Sequence, residues 1–130
     1  MTDSALTLLG LALRGGNLAV GEEPVAEACK TRRARLVLSA ADAADNSVDR
    51  AGRMAQLGGV PWARVPWDKE TLGSALGRRL CAMAALTDRG LAAALAGKLA
   101  AADETLRPAL EPLLDEKKKP RAKKPAPCES

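Results

Sequence analysis

Apolar positions along this chain recur at intervals of three or four residues in some stretches and in short unbroken runs in others, which predicts helices interleaved with strands. Leu6, Leu9 and Leu13 fall at helical spacing and stop before Arg14-Gly15-Gly16-Asn17, where the paired glycines signal a turn. Leu18-Ala19-Val20 is long enough only for a short strand. Gly21 then opens a second helix, in which Glu22 and Glu23 suit the positive end of the helix dipole, Pro24 occupies the tolerated first turn, and Val25, Ala28 and Cys29 form the buried side.

Arg35 to Ser39 reads as a buried strand. In the next helix Val48, Ala51 and Ala55 share one side, Asp45 or Asn46 is placed to cap the start, and Gly58-Gly59 ends it. Trp62 to Val65 predicts a third strand, and Asp68 caps a short helix carrying Leu72, Ala75 and Leu76 inward. Gly77-Arg78-Arg79 turns the chain into a last strand, Leu80 to Leu86, after which Asp88 starts a helix with Leu91, Leu95 and Leu99 on one face. The alternation implies an α/β fold, a three-layer α/β/α sandwich, over residues 1–102. Residues 103–114 carry apolar positions at 106, 110, 113 and 114 but are interrupted by Pro108 and Pro112, which predicts a kinked helical extension packed on the domain.

Charge changes the picture at the C-terminal end. Of a net charge of +4, residues 115–130 carry +3, from six basic residues against three acidic ones, so residues 1–114 come to about +1. Lys117, Lys118, Lys119, Arg121, Lys123 and Lys124 are interspersed with prolines and alanines, a composition that cannot offset the entropy of ordering; residues 115–130 are expected to be a disordered basic tail. Such a tail suits nucleic acid or a ribosomal surface, and equally suits solubility alone.

Composition removes several functions. Trp62 and Trp67 are the only aromatic residues, so platforms that stack single-stranded bases are excluded. The chain has no histidine, which takes away the commonest general base and the commonest metal ligand; neither an enzyme nor a cofactor is expected. Cys29, Cys81 and Cys128 are too few and too scattered for a disulfide framework, with Cys29 and Cys81 expected to fill core space, and the apolar stretch Ser4 to Leu13 is too short to span a bilayer. A monomer in a reducing cytoplasm, without membrane attachment, is the expectation. Gly15-Gly16 with Gly21 lacks the spacing and the preceding strand of a dinucleotide loop. Asp42, Asp45 and Asp49 lack the glycine and terminal glutamate of a calcium loop.

Leu8-Leu9-Gly10-Leu11-Ala12, Arg14-Gly15-Gly16-Asn17-Leu18 and Gly21-Glu22-Glu23, followed by Arg35 to Leu38 with Ala41-Asp42-Ala43, Val60-Pro61, Lys69 to Gly77 and Thr87 to Leu91, form an ordered set across residues 5–97. As a set they resemble the bacterial YlxQ-type proteins of the superfamily of the archaeal ribosomal protein L-seven-Ae. The resemblance implies a sandwich with a small mixed sheet, no catalytic activity, and binding of structured RNA, in the best-understood members the sharply bent kink-turn. In those members a Gly-x-Asn-Glu motif at the start of the second helix, with a lysine one turn on, meets guanine edges and phosphates. Here Gly21 is kept, while Glu23, Pro24 and Glu27 stand where the asparagine, glutamate and lysine would be. Glu22 and Glu23 therefore read either as base-contacting acids or as plain helix-start acids.

The family's second contact region, the loop before the last strand, corresponds to Gly77-Arg78-Arg79-Leu80, where two arginines can take phosphates or stack on bases. The candidate RNA contacts are completed by Lys69 and by the basic set around the glycine turn, Arg14, Gly15, Gly16, Asn17, Lys30 and Arg33, to which Arg32 and Arg35 are close in sequence. Lys30 and Arg32 read first as helix-end cations, with RNA contact second, whereas glycines beside Arg14 permit close approach of a phosphate. Two functions are thus in view. One is a ribosomal or translation-associated RNA-binding protein whose partner is structured RNA, ribosomal RNA included; the other is a protein-interaction module of the translation machinery with a decayed RNA site.

Overall fold

The computed structural model describes residues 3–102, 104–108, 110 and 113. The elements run α1 (Asp3–Arg14), β1 (Leu18–Val20), α2 (Glu22–Lys30), β2 (Leu36–Ser39), α3 (Asp45–Gly58), β3 (Trp62–Arg64), α4 (Lys69–Ala75), β4 (Met83–Leu86) and α5 (Arg89–Ala102), followed by a 3-10 turn at Glu104–Leu106. The four strands form one mixed sheet in the order β1-β4-β2-β3. β4 is antiparallel to both β1 and β2, while β2 and β3 are parallel, a pairing that needs a crossover and obtains it from α3.

Strand residues alternate between two cores, which makes the molecule a three-layer α/β/α sandwich. Leu36, Leu38, Ala84 and Leu86 point to the side covered by α1, α4 and α5, where Leu9, Leu72, Leu95 and Leu99 meet them. Val37, Met83 and Ala85 point to the other side, against Val25, Ala28 and Cys29 of α2 and Ala51 and Ala55 of α3. Leu110 and Leu113 are buried in the first of these cores. Ser39 is the one buried polar residue among those described; its hydroxyl oxygen accepts from Trp62 Nε1 at 2.8 Å. Trp67 Nε1 is buried with no hydrogen-bond partner among the described residues.

Three expectations are corrected. β4 begins at Met83, not at Leu80: Cys81 N donates to the carbonyl of Lys69 at 3.0 Å, hooking residues 80 and 81 to α4 before the chain can join the sheet. α3 starts after Ala44, with Asp45 already helical and no side-chain capping bond, so neither Asp45 nor Asn46 is the cap. β3 ends at Arg64; Val65 only continues its direction, with its N–H on the Ser39 carbonyl. Asp68 does cap α4, its carboxylate accepting from Thr71 N at 2.7 Å. The expected basic tail, 115–130, lies outside the described residues, as do parts of the extension 103–114. Among the described residues no helix is long and apolar enough to cross a membrane, and no cluster can hold a metal ion.

Candidate functional site

The strand register divides the candidate residues between two ends of the sheet. β1 opens at Leu18 beside Leu86, the last residue of β4, and closes at Val20 beside Ala84. Residues just before β1 therefore share an end with residues just after β4, and those just after β1 share the other end with residues just before β4. α2 runs back from Gly21 along β1, so its start and its finish lie at opposite ends.

The first end gathers Arg14, Gly15, Gly16, Asn17, Lys30 and Arg33. The glycine turn is closed by Gly15 N to Leu11 O (3.0 Å), Gly16 N to Leu13 O (3.1 Å) and Asn17 N to Ala12 O (2.7 Å), and Thr87 N donates to the Asn17 carbonyl at 2.9 Å. Gly16 takes φ 76°, which only glycine adopts without strain. A cleft of about 220 Å³ here is lined by Gly16, Pro24, Glu27, Arg33 and Thr87, over a floor that includes Leu18 and Ala28.

The second end holds Gly21, Glu22, Glu23, Lys69, Gly77, Arg78, Arg79 and Leu80. Gly21 N donates to the Met83 carbonyl at 3.1 Å, and Gly21, at φ 100°, is the N-cap of α2 without a side chain to satisfy the helix N–H groups. Lys69 N donates to Asp42 Oδ1 at 2.8 Å, which ties the start of α4 to the loop after β2. The loop 77–80 is exposed throughout, yet fixed at both flanks: Gly77 N to Ser74 O (3.3 Å), Arg78 N to Gly73 O (2.7 Å), and the Cys81 hook on Lys69. Leu80 is 58% exposed. Neither Arg78 nor Arg79 makes an ion pair among the described residues.

Two residues outside the candidate set shape this end. Arg50 of α3 donates to and pairs with Glu22 across the start of α2, leaving Glu23 as the exposed acid without a partner among the described residues. No spacing rule connects residues 28 apart, so the pair was invisible in the sequence. Gly73 is the other: a Cβ there would stand 2.9 Å from Arg78 O and from Leu80 N and Cα, so only a glycine lets the loop lie this close to α4. A glycine inside a seven-residue helix was the available signal. Behind the loop, burial pushes the Cys81 thiol up, outweighing the nearby Arg78 charge, which acts the other way. Cys29 is likewise raised by burial, and both cysteines are free and buried, as expected of core residues.

With this geometry in place, residues 3–96 match the family described as Ribosomal protein L7Ae/L30e/S12e/Gadd45 family. RNA-binding protein YlxQ of Bacillus subtilis (strain 168) is 33% identical over 85 residues, which is 65% of this chain and 84% of that protein. Among solved structures, a protein of unknown function from Bacillus halodurans C superposes with a TM-score of 0.68 at 28% identity, covering 73% of this chain and 95% of its own. The Giardia lamblia 15.5kD RNA binding protein has the same fold, with a TM-score of 0.61 at 20% identity over 77% of this chain and 88% of its own.

Proposed function

We propose that this chain, which belongs to the ribosomal protein L7Ae/L30e/S12e/Gadd45 family, is a non-enzymatic RNA-binding protein that grips structured RNA with the loop Gly77–Leu80 and the start of α2. The observation that carries the reading is Leu80, a large apolar side chain held out to solvent on a loop whose flanks are fixed by backbone hydrogen bonds. A leucine so presented, next to two arginines without ion pairs among the described residues, has the parts an irregular RNA requires: an apolar surface for an unstacked base and forked cations for the phosphates around it. The name of the Bacillus subtilis relative supports the ligand class. The absence of histidine from the sequence and the burial of Cys29 and Cys81 support a binding role over a catalytic one.

The RNA is a sharply bent or looped one, of which the kink-turn is the family's best-understood form, and a ribosomal or translation-associated transcript is its natural source. Glu22 is occupied by Arg50, so at the helix tip the groups that can turn to RNA are Glu23 and the N–H groups of the first turn. Gel shifts of the full-length protein with a kink-turn RNA and a plain duplex of equal length test the reading. The expected result is a preference for the kinked RNA that Arg78→Glu/Arg79→Glu abolishes while circular dichroism stays unchanged. Equal binding to both RNAs, or a preference that survives the double substitution, refutes it.

A further inference from the structure

We infer that the opposite end of the sheet, around Arg14, Arg32 and Arg33, is a second phosphodiester-binding surface that takes another segment of the same RNA; the inference rests on the RNA reading above. Arg14, Lys30, Arg32, Arg33 and the half-buried Arg35 all lie at this end, and none has an ion pair or side-chain hydrogen bond among the described residues. The acids there are Glu27, which lines the cleft, and Asp88, whose carboxylate accepts from Leu91 N. At the loop end, by contrast, Arg50 is neutralised by Glu22, and Lys69, Arg78 and Arg79 share the surface with Glu23, Asp42, Asp68 and Glu70. Even with Arg64 at the end of β3 counted at the loop end, cations outnumber acids at the glycine-turn end and do not at the loop end.

Helix-end capping does not account for these arginines. Three of the last four carbonyls of α2 are already satisfied by backbone donors: Glu27 O by Thr31 N, Cys29 O by Arg32 N, and Ala28 O by Arg33 N and Ala34 N. The guanidinium groups are left over. Arg32 also takes φ 63°, the left-handed conformation at which a helix end ordinarily carries glycine. A cation stands where the backbone favours a residue without a side chain; Arg32 lines, with Lys30, a groove between α2 and α3, while its neighbour Arg33 lines the cleft edged by Gly16, where nothing lies within 4 Å of the added Cβ position. Guanidinium forks without ion pairs among the described residues, with Arg33 in the glycine cleft, Arg14 in the groove between α1 and Ala75, and Arg32 in the groove between α2 and α3, suit a sugar-phosphate strand passing over this end, and the proposed ligand carries a phosphate at every nucleotide.

The test is a salt series of full-length protein on a fluorescein-labelled kink-turn RNA extended by a duplex arm, and on a plain duplex of the same length. Arg14→Glu/Arg33→Glu is expected to weaken binding to both RNAs by about tenfold or more and to lower the log–log salt slope by about two, leaving the ratio between the RNAs unchanged. Arg32→Gly relieves the backbone, so it is expected to hold or raise the melting temperature while weakening binding several-fold; a purely structural arginine would not give that pair of results. Unchanged affinity and slope in Arg14→Glu/Arg33→Glu overturn the inference, in favour of an acidic protein surface as the occupant. If the wild type binds both RNAs equally but the double variant still lowers the slope, the loop-centred recognition fails and the second surface stands. If the wild type binds neither RNA, both fail.

Discussion

Gly73 and Leu80 are packed backbone to backbone: a Cβ on the glycine would stand 2.9 Å from both the nitrogen and the Cα of the leucine. The contact holds the arginine loop against α4 and turns the Leu80 side chain outward. Because the opposing atoms are main chain, the clash from Gly73→Ala cannot be relieved by a rotamer change. Gly73→Ala is expected to destabilise the fold by about 1–3 kcal/mol in denaturant titration and to weaken RNA binding. Gly52, in the middle of α3, has nothing within 4 Å of its added Cβ and no positive φ, so Gly52→Ala should stabilise by about 0.5–1 kcal/mol. Equal responses from the two glycines would contradict the packing argument.

Leu80 separates stability from binding. Being 58% exposed, it contributes little to the core, and Leu80→Ala should change stability by less than about 0.5 kcal/mol. Its loss should cost about 1 kcal/mol of RNA affinity, roughly fivefold, by fluorescence anisotropy.

The Glu22–Arg50 pair joins two exposed side chains, at 45% and 56% exposure, and pairs of this kind contribute about 0–1 kcal/mol. Arg50→Ala is expected to leave the melting temperature nearly unchanged. It should weaken RNA binding several-fold, since Glu22 then faces phosphates with its charge uncompensated, and Glu22→Gln in the same protein should restore it. Failure of the second substitution to rescue would remove Glu22 from the interface.

Asp68 gives a pH dependence with a definite sign. Donation from Thr71 N–H holds its carboxyl below the ordinary carboxylate value, so the cap stabilises above the unfolded pKa and its contribution is lost as pH falls through the folded one. Asp68→Ala should therefore lower the melting temperature at neutral pH, with the difference from wild type closing in acid. Asp68→Asn, which keeps an acceptor, should lower it less and with less dependence on pH. A difference for Asp68→Ala that persists unchanged below the carboxylate range would rule out the charge as its cause.

Deleting residues 117–130 removes six cations from the chain. It should weaken binding to every RNA tested and flatten the salt slope, with the preference for kinked RNA intact. A changed preference with an unaltered slope would give the segment a sequence-reading role instead.

Much of this molecule follows from local rules. The spacing of Leu6, Leu9 and Leu13, the Val25-Ala28-Cys29 face, the Asp68 cap and the Gly58-Gly59 stop each act over one or two turns, and elements of the expected kind and order stand in each place. The ordered residues from Leu8 to Leu91 also sufficed to identify the family, because a set of short matches in register is informative where each alone is not. Tertiary structure decided what depends on contacts far apart in sequence: that α2 and α3 cover one face of the sheet and α1, α4 and α5 the other, that β4 waits until Met83, and that Arg50 claims Glu22. It also separated Arg14 and Arg33 from Arg78 and Arg79, residues that look alike on a sequence line. The physical reason is that periodicity reports which side of an element is apolar but not which element it will meet, and only strand pairing assigns the two ends of the sheet.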